Sequence, residues 1–317
     1  MVIKRIDKKE LKIGMFVEAV EGPWRDDPAM GRRFVVKTAE QLAAIVNGNV
    51  SGVFINTALG KPGDGSDASV SERKTLRNAT RQEKLQIAQT INHQAEEARG
   101  LIQDVFDGQD VSVATFAPLS DDIGRTMDEN PSLFIGMSRL RSQDTATFVH
   151  SLSVAALLVH FARSLEMDEA IVQPLCVAGL LHDVGKLAIP KQVLHKQGPL
   201  SPEERLRIEQ HPELGYKVLQ KQLDMPELVL DICRSHHERL DGKGYPQGLL
   251  GAQISPEVRM STICDVFDAL TSARSYKKGW SSHQALSWMM DREDQFDRTL
   301  LRRFILSLDT EMTKGLL

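Results

Sequence analysis

The chain has 317 residues, of which 41% are hydrophobic and 26% charged, and its formal net charge at pH 7 is -4. This length accommodates two domains with a sizeable core, while the acidic balance offers no bulk attraction for a nucleic acid polymer. Because no apolar run approaches the length of a membrane span and the N-terminus lacks the apolar core of a secretion signal, we expect a cytoplasmic protein without membrane attachment.

Residues 1–60 predict a small α/β domain. Segments 16–20, 33–37 and 52–56 are rich in β-branched and aromatic residues, which is typical of strands. Between the last two strands, residues 38–46 predict a short helix that begins at the capping residue Thr38 and has Gln41 three positions later. No chemical motif lies in this domain. It resembles an uncharacterised N-terminal module of other proteins, and that resemblance implies a regulatory or partner-binding role.

Residues 61–117 predict a flexible linker followed by a connector helix. The stretch 60–69 is rich in Gly, Ser and Asp and has no periodic apolar pattern. A polar helix is expected from about residue 71 to 105, where Leu76, Ile87, Ile91 and Leu101 give only a thin apolar stripe. This pattern predicts either a connector or a dimerisation element.

Residues 118–317 predict an all-α domain. Long apolar segments alternate with short turns and show no period-two alternation. Local chemistry marks helix starts, as where the capping residue Ser201 is followed by Pro202 and Glu204. The fold class predicted for the whole chain is therefore mainly α, with a helical bundle preceded by a small α/β domain.

Imidazoles and carboxylates fall on or at the ends of these apolar helices. Such side chains rarely occupy apolar helices unless a cation or a hydrogen-bond partner offsets their desolvation. The candidates are His150, His182, Asp183, His211, His236, His237 and Asp265. Each alone has an ordinary explanation, such as a hydrogen-bonded core histidine or a surface turn residue. Helical bundles build metal sites from inward residues of facing helices, so the set together predicts a hydrolytic metal centre.

Two further features shape this prediction. Asp268 lies three residues after Asp265 on the same helix stripe, which allows one carboxylate to bind a metal and the other to orient a ligand, although a solvated edge would explain both. Cys176, Cys233 and Cys264 are odd in number and sit in apolar segments, so we expect buried free thiols. A metal would then be held by nitrogen and oxygen atoms.

The spacing of these residues closely resembles that of the HD-GYP family of bacterial phosphodiesterases over roughly residues 139–280. The matching segments are His182-Asp183 with Gly185-Lys186, His211-Pro212 with Gly215, His236-His237-Glu238, Asp241-Gly242 with Gly244-Tyr245-Pro246, and Asp265-Val266-Phe267-Asp268. The resemblance implies an HD-type helical bundle with two divalent metal ions, Fe or Mn. It also implies hydrolysis of cyclic di-GMP to pGpG, and in some members to GMP, by a metal-bridging hydroxide.

The same resemblance assigns roles by position. His150, His182, Asp183 and Asp265 would hold one ion, whereas Asp183, His211, His236 and His237 would hold the other. Asp183, Lys186 and Asp268 are the expected catalytic residues. The expected substrate-binding residues are Lys186, Gly244, Tyr245, Arg274 and Lys277.

Two departures from the family pattern bear on these expectations. Some members place a Glu that binds a third metal one helical turn before the first His, but Ala146 occupies that position here, so two ions are expected. The chain also ends soon after residues 304–308, where relatives commonly continue with further helices or strands. We expect this short C-terminus to affect stability or dimerisation.

Rival functions remain open at the level of sequence. One is a non-catalytic signalling scaffold that binds a cyclic dinucleotide or a diguanylate cyclase. Another is a hydrolase of a different cyclic dinucleotide such as 3′,3′-cGAMP, and a homodimer is a further candidate assembly. Turnover assays with both nucleotides would separate these alternatives.

Overall fold

The computed structural model describes residues 3–21, 34–47, 52–56, 79–139, 146–194, 196, 198–272, 279–308 and 313. The chain divides into two compact units. One comprises Met1–Asn78 with Leu308–Leu317, and the other comprises Ala79–Ser307.

The N-terminal unit contains a four-stranded antiparallel sheet and one helix. Its strands are β1 (Ile3–Ile6), β2 (Phe16–Glu21), β3 (Phe34–Val35) and β4 (Gly52–Asn56), arranged in the order β1-β4-β2-β3, and the helix is α1 (Ala39–Asn47). Val17, Val53, Ile55 and Ile45 form part of its buried core. The predicted α/β class is confirmed. Strand β1 was not predicted, because Ile3-Lys4-Arg5-Ile6 does not alternate apolar and polar residues.

The second unit is helical, as predicted for residues 118–317. Its helices are α2 (Arg81–Phe106), α3 (Ala117–Glu129), α4 (Pro131–Ser138), α5 (Ala146–Ser164), α6 (Glu169–Leu181), α7 (Lys191–Leu194), α8 (Pro202–Glu209), α9 (His211–Leu219), α10 (Glu227–Ser235), α11 (Pro256–Thr271), α12 (Ser282–Met290) and α13 (Arg298–Ser307). The expected cap at Ser201 is present, since its hydroxyl accepts a hydrogen bond from the Glu204 amide.

Helix α2 differs from the predicted connector. It begins after Thr80, whose side chain forms a capping box with Glu83, whereas the prediction started it near residue 71. Residues 71–78 lie outside the described part of the chain. Its buried apolar side includes Ile87, Ile91 and Ile102, and the helix packs against α3, α4 and α5. The thin apolar stripe is thus used within the helical unit, which begins at Ala79 rather than at residue 118.

Helices α5 and α6 form the centre of the bundle. They approach so closely that a Cβ atom on Gly179 would lie 2.5 Å from the Cα atom of Ala155. Beneath them, Phe304 packs edge-on against Phe161 and Phe267, with ring centroids 5.3 and 5.2 Å apart. These contacts join α5, α11 and α13, and two of these helices, α5 and α11, carry residues of the candidate site.

One expectation about apolar runs was wrong. The helical stretch Glu169–Ala188 is long and apolar enough to cross a membrane by length and composition, yet 67% of its most apolar window is buried inside the protein. A central bundle helix is apolar on all sides because it is surrounded by other helices. Burial within the bundle therefore explains this composition.

The three cysteines are buried free thiols, as predicted. Burial raises the pKa of the Cys176 thiol to about 12, against a smaller opposing effect of its contact with Ser120. These cysteines contribute to the apolar core and are not thiolate ligands.

Candidate metal centre

Five helices deliver the predicted ligands to one point. His150 lies within α5, and Asp265 lies within α11. His182 and Asp183 follow the last residue of α6, while His211 is the first residue of α9. The remaining pair, His236 and His237, follows α10.

A glycine allows two of these elements to meet. Gly185 follows the His182-Asp183 pair, and a Cβ atom there would overlap the backbone carbonyl of His211 and lie 2.5 Å from the Gly215 amide nitrogen. Any larger residue would therefore push α9 away from the turn that carries Asp183.

Asp183 occupies the middle of the cluster. Its Oδ1 atom lies 3.2 Å from the Nε2 atom of His211 and 3.7 Å from that of His236. Its Oδ2 atom lies 3.6 Å from the Nε2 atom of His150 and 3.4 Å from that of His182. Each carboxylate oxygen thus faces a different pair of imidazoles, which is the arrangement expected of a ligand shared by two cations.

Asp265 and His237 complete the set. Asp265 Oδ1 lies 3.1 Å from His150 Nε2 and 4.0 Å from His182 Nε2, and its Oδ2 atom lies 4.0 Å from His237 Nδ1. Three groups have ligand atoms all within 4.8 Å of one another. They are Asp183 with His211, His236 and His237; His150 with His182 and Asp183; and His182 with His236 and Asp265. The structure therefore brings together all seven residues that the sequence predicted as metal ligands.

Backbone carbonyls orient three of the imidazoles. The Nδ1 atoms of His182 and His211 lie 2.8 and 2.7 Å from the carbonyl oxygens of Gly179 and Ile208. That of His236 lies 3.0 Å from the carbonyl oxygen of Cys233. Because a carbonyl oxygen only accepts, each Nδ1 carries the hydrogen and donates it. In the neutral ring, the Nε2 lone pair then points into the cluster, as in histidines that bind metals.

The acceptor atoms that face the centre of the cluster outnumber the hydrogens available to them. His211 Nε2 lies 3.3 Å from His236 Nε2, and both are also close to an oxygen of Asp183. His182 Nε2 and Asp183 Oδ1 are buried and make no hydrogen bond. Buried acceptors in mutual contact are unfavourable unless a cation lies among them. The donor set, nitrogen and carboxylate oxygen without thiolate, fits divalent first-row transition ions.

His150 is oriented by a carboxylate instead of a carbonyl. Its Nδ1 atom lies 2.6 Å from Asp268 Oδ2, while its Nε2 atom faces Asp265 and Asp183. Asp268 is itself 3% exposed. Asp268 thus holds one nitrogen of His150 and leaves the other facing the two carboxylates, an arrangement that fixes the imidazole and raises its basicity.

Electrostatics favour a charged carboxylate at Asp183 and neutral imidazoles at His236 and His237. Burial would raise the pKa of Asp183, but His182 and Lys186 outweigh it and hold that pKa well below its usual range. Burial lowers the pKa of His237 to about 3 and, together with neighbouring histidines, lowers that of His236.

The pKa of His150 shifts in the direction opposite to those of His236 and His237 in the metal-free protein. Burial lowers its pKa, but hydrogen bonds with Asp265 and Asp268 outweigh burial and raise the pKa to about 9. The imidazole is therefore protonated at neutral pH when no cation is present. A metal ion that binds His150 has to displace this proton.

The vicinal pair His236-His237 raised a geometric objection, because neighbouring residues on a helix point about 100 degrees apart. The helix that precedes this pair, however, ends before it reaches the two histidines. α10 stops at Ser235, and His237 already lies in the following turn, so its ring sits 5.0 Å from that of His211. Both rings can then face the cluster.

The structure describes three of the five residues that were predicted to bind the substrate. Lys186 Nζ lies 2.6 Å from Asp183 Oδ2, with 26% of its side chain exposed. The Tyr245 ring lies 4.7 Å from the His237 ring, and Gly244 precedes it. Lys186, His237 and Tyr245 therefore line the solvent-facing side of the cluster. Arg274 and Lys277 lie outside the described residues, as does the side chain of Ala146.

One residue near the site was quoted in the sequence motif without a role. Glu238 is 2% exposed and follows His237 directly. Its carboxylate accepts hydrogen bonds from three consecutive backbone amides, those of Gln247, Gly248 and Leu249. The only sequence signal for this contact is the position of the Glu, which directly follows a pair of histidines and precedes a glycine-rich loop.

Comparisons with protein families cover nearly the whole chain. A family described as HD domain matches residues 125–300, and a domain of unknown function, DUF3391, matches residues 3–116. The boundary between these matches lies close to residue 118, where the sequence placed the start of the helical domain. The compact unit, in contrast, begins at Ala79, because α2 packs into the bundle.

Several curated proteins are similar in sequence. Cyclic di-GMP phosphodiesterase PA4108 from Pseudomonas aeruginosa is 34% identical over 316 residues, which are 96% of this chain and 76% of that protein. The response regulator RpfG from Xanthomonas campestris, also a cyclic di-GMP phosphodiesterase, is 41% identical over 47% of this chain and 39% of its own length. The 3′3′-cGAMP-specific phosphodiesterase 1 from Vibrio cholerae is 41% identical over 45% of this chain and 33% of its own length.

A solved structure shares the fold. Bd1817, an HDG"Y"P protein from Bdellovibrio bacteriovorus, matches with a TM-score of 0.56 over 95% of this chain and 98% of that chain, at 18% sequence identity. This similarity supports the helical architecture predicted from the sequence.

Proposed function

We propose that this chain, which belongs to the HD domain family, is a metal-dependent phosphodiesterase that hydrolyses cyclic di-GMP. The observation that carries the proposal is the shared position of Asp183 between two groups of buried, oriented imidazoles. The relative from Pseudomonas aeruginosa, which aligns with 96% of this chain, supports the choice of substrate.

We further propose two divalent ions, Fe or Mn, as the cofactor. His150, His182, Asp183 and Asp265 would hold one ion, and Asp183, His211, His236 and His237 the other. Such a pair supplies Lewis-acid activation of water near neutral pH and neutralises charge that develops on a phosphodiester. Neutral imidazoles at His236 and His237 favour binding, because a protonated ring cannot be a ligand.

The residues on the solvent-facing side of the cluster would bind the substrate. Lys186 places an ammonium group beside the shared carboxylate, where it can offset negative charge on the phosphodiester. The Tyr245 ring lies 4.7 Å from the His237 ring and would offer an apolar wall beside the metal ligands. We assign Arg274 and Lys277 to the remaining phosphate, because a guanidinium and an ammonium suit a dianionic cyclic dinucleotide.

The expected first product is linear pGpG, with GMP following if the second phosphodiester is also cleaved. We place this activity in the cytoplasm. The test is incubation of Mn- or Fe-loaded protein with cyclic di-GMP and chromatographic identification of the nucleotides. Formation of pGpG or GMP supports the proposal, whereas intact cyclic di-GMP bound to metal-loaded protein would favour a binding scaffold.

A second candidate substrate is 3′,3′-cGAMP. It is favoured by the similarity to the phosphodiesterase from Vibrio cholerae that is specific for this nucleotide, although that match covers less than half of either protein. Competition between the two cyclic dinucleotides in one assay would rank them by kcat/KM. A higher kcat/KM for cyclic di-GMP is expected.

Replacing Asp268 with asparagine should weaken metal binding by about 10- to 100-fold. The amide oxygen can still accept from His150 Nδ1, so the ring keeps its orientation, but the negative charge that raises its basicity is lost. The measurement is competition with a metal-sensitive chelator. Asp104→Asn, on an exposed position of α2, is the matched control. Equal affinity in the two variants would contradict a role for Asp268 in orienting His150.

A further inference from the structure

A buried carboxylate holds the loop that follows the histidine pair. Glu238 Oε1 accepts hydrogen bonds from the amides of Gln247 and Gly248 at 2.7 and 3.1 Å, and Oε2 accepts one from Leu249 at 2.9 Å. A buried charge is costly unless it is hydrogen-bonded, and three backbone amides satisfy this one. Residues 247–249 of the loop are therefore tied to this one side chain.

Tyr245, which precedes these residues in the same loop, contacts the proposed metal ligand His237. The Tyr245 amide donates a hydrogen bond to the His237 carbonyl at 3.3 Å, and its ring lies 4.7 Å from the His237 ring. Gly244 permits this approach, because a Cβ atom there would lie 2.4 Å from both Glu238 Cα and the Arg239 amide nitrogen. The ring of Tyr245 is thus placed by the backbone of residues 237–239.

A separate anchor fixes the start of the loop. Arg239 Nε and Nη2 donate to the two carboxylate oxygens of Asp241, each at 3.0 Å, and Nη2 also donates to Asp294 at 2.7 Å. The Asp241 amide donates to the Asp294 carbonyl at 2.9 Å. This anchor does not involve Glu238. Loss of the Glu238 carboxylate would therefore release residues 247–249 while Asp241 stays in place.

We propose that Glu238 is a positioning residue that sets substrate affinity by holding residues 247–249, and so keeps the loop that carries Tyr245 in place beside His237. The inference rests on the proposed function, since it assigns to this loop one wall of the cyclic dinucleotide site. Glu238 contacts the loop backbone and not the metal ligands' side chains. Its loss should therefore affect the Michaelis constant more than kcat and leave the metal content intact.

The test uses Glu238→Gln in the full chain, with Glu129→Gln at an exposed position of α3 as the matched control. Glutamine can still accept from the Gln247 and Gly248 amides through its one oxygen, but its NH2 group would then face the amide hydrogen of Leu249. KM for cyclic di-GMP is expected to rise about tenfold or more, with kcat within about threefold and metal content per chain unchanged. The control variant should match the unmodified protein.

Hydrogen exchange gives a readout that does not depend on activity. The amides of residues 247–249 are expected to exchange slowly in the unmodified protein and at least about tenfold faster in Glu238→Gln. Fast exchange of these amides in the unmodified protein would overturn the proposal even if a variant failed to fold. An unchanged KM in a folded, metal-loaded Glu238→Gln protein, or a fall in its metal content, would also overturn it. Absence of cyclic di-GMP hydrolysis by the unmodified protein would instead refute the proposed function and leave the exchange result as a test of the loop anchor.

Discussion

Replacing Asp183 with asparagine is expected to lower kcat by at least about a thousandfold. An asparagine keeps one oxygen but turns the other position into an NH2 group, which donates to an imidazole lone pair and occupies the place of a cation. Because each Asp183 oxygen faces a different imidazole pair, one of the two ion positions is lost. Metal content should accordingly fall to one ion per chain or fewer.

Asp104→Asn provides the control for this variant, because it makes the same chemical change on an exposed surface of α2. Metal analysis and steady-state kinetics on both proteins give the comparison. A folded Asp183→Asn protein that retained its full metal content and its kcat would contradict the shared role of this carboxylate.

Replacing Lys186 with methionine is expected to reduce kcat about a hundredfold while both ions remain bound. Methionine preserves the apolar stem and removes the ammonium group, which lies 2.6 Å from Asp183 Oδ2 at the solvent-facing side of the cluster. The loss should fall on kcat, because charge on the phosphodiester grows toward the transition state. Steady-state kinetics with parallel metal analysis makes the measurement.

Two results of that experiment separate the roles open to Lys186. Retained metal with a reduced kcat supports a direct effect on the substrate. Loss of metal would show that the lysine mainly supports Asp183, contrary to the catalytic role. Lys217→Met, at a largely exposed position of α9, is the matched control and should behave as the unmodified protein.

Much of the site could be predicted from the sequence, because polar residues on apolar helices need a physical reason to be there. His150 and Asp265 were identified on this ground, and both point into the cluster. His211 looked like a surface turn residue when taken alone, yet it is fully buried at the start of α9. Only its grouping with the other candidates indicated a ligand.

Other features depend on backbone positions that no local pattern reveals. The carbonyl groups of Gly179 and Ile208 orient two imidazoles, but a carbonyl belongs to every residue and carries no sequence signal. The objection to His236 and His237 as joint ligands depended on where α10 ends, and helix ends are the least certain part of such predictions. Glu238 was visible in the motif, but its three amide partners lie nine to eleven residues further along the chain.

The length of α2 illustrates a different limit. Its thin apolar stripe predicted a connector or a dimerisation element, and the helix was expected to start near residue 71. The described helix begins at Arg81, buries Ile87 and Ile91 of that stripe, and packs against α3, α4 and α5. Which surface an amphipathic helix covers is decided by tertiary contacts and not by its own sequence.

The most direct measurement is the metal stoichiometry of the folded chain. Protein reconstituted with excess Mn²⁺ under anaerobic conditions and then freed of unbound ions should carry two ions per chain by native mass spectrometry, and Asp183→Asn should carry one or none. A folded chain that retained no ion at neutral pH would contradict the proposal that these five histidines and two aspartates form a metal centre.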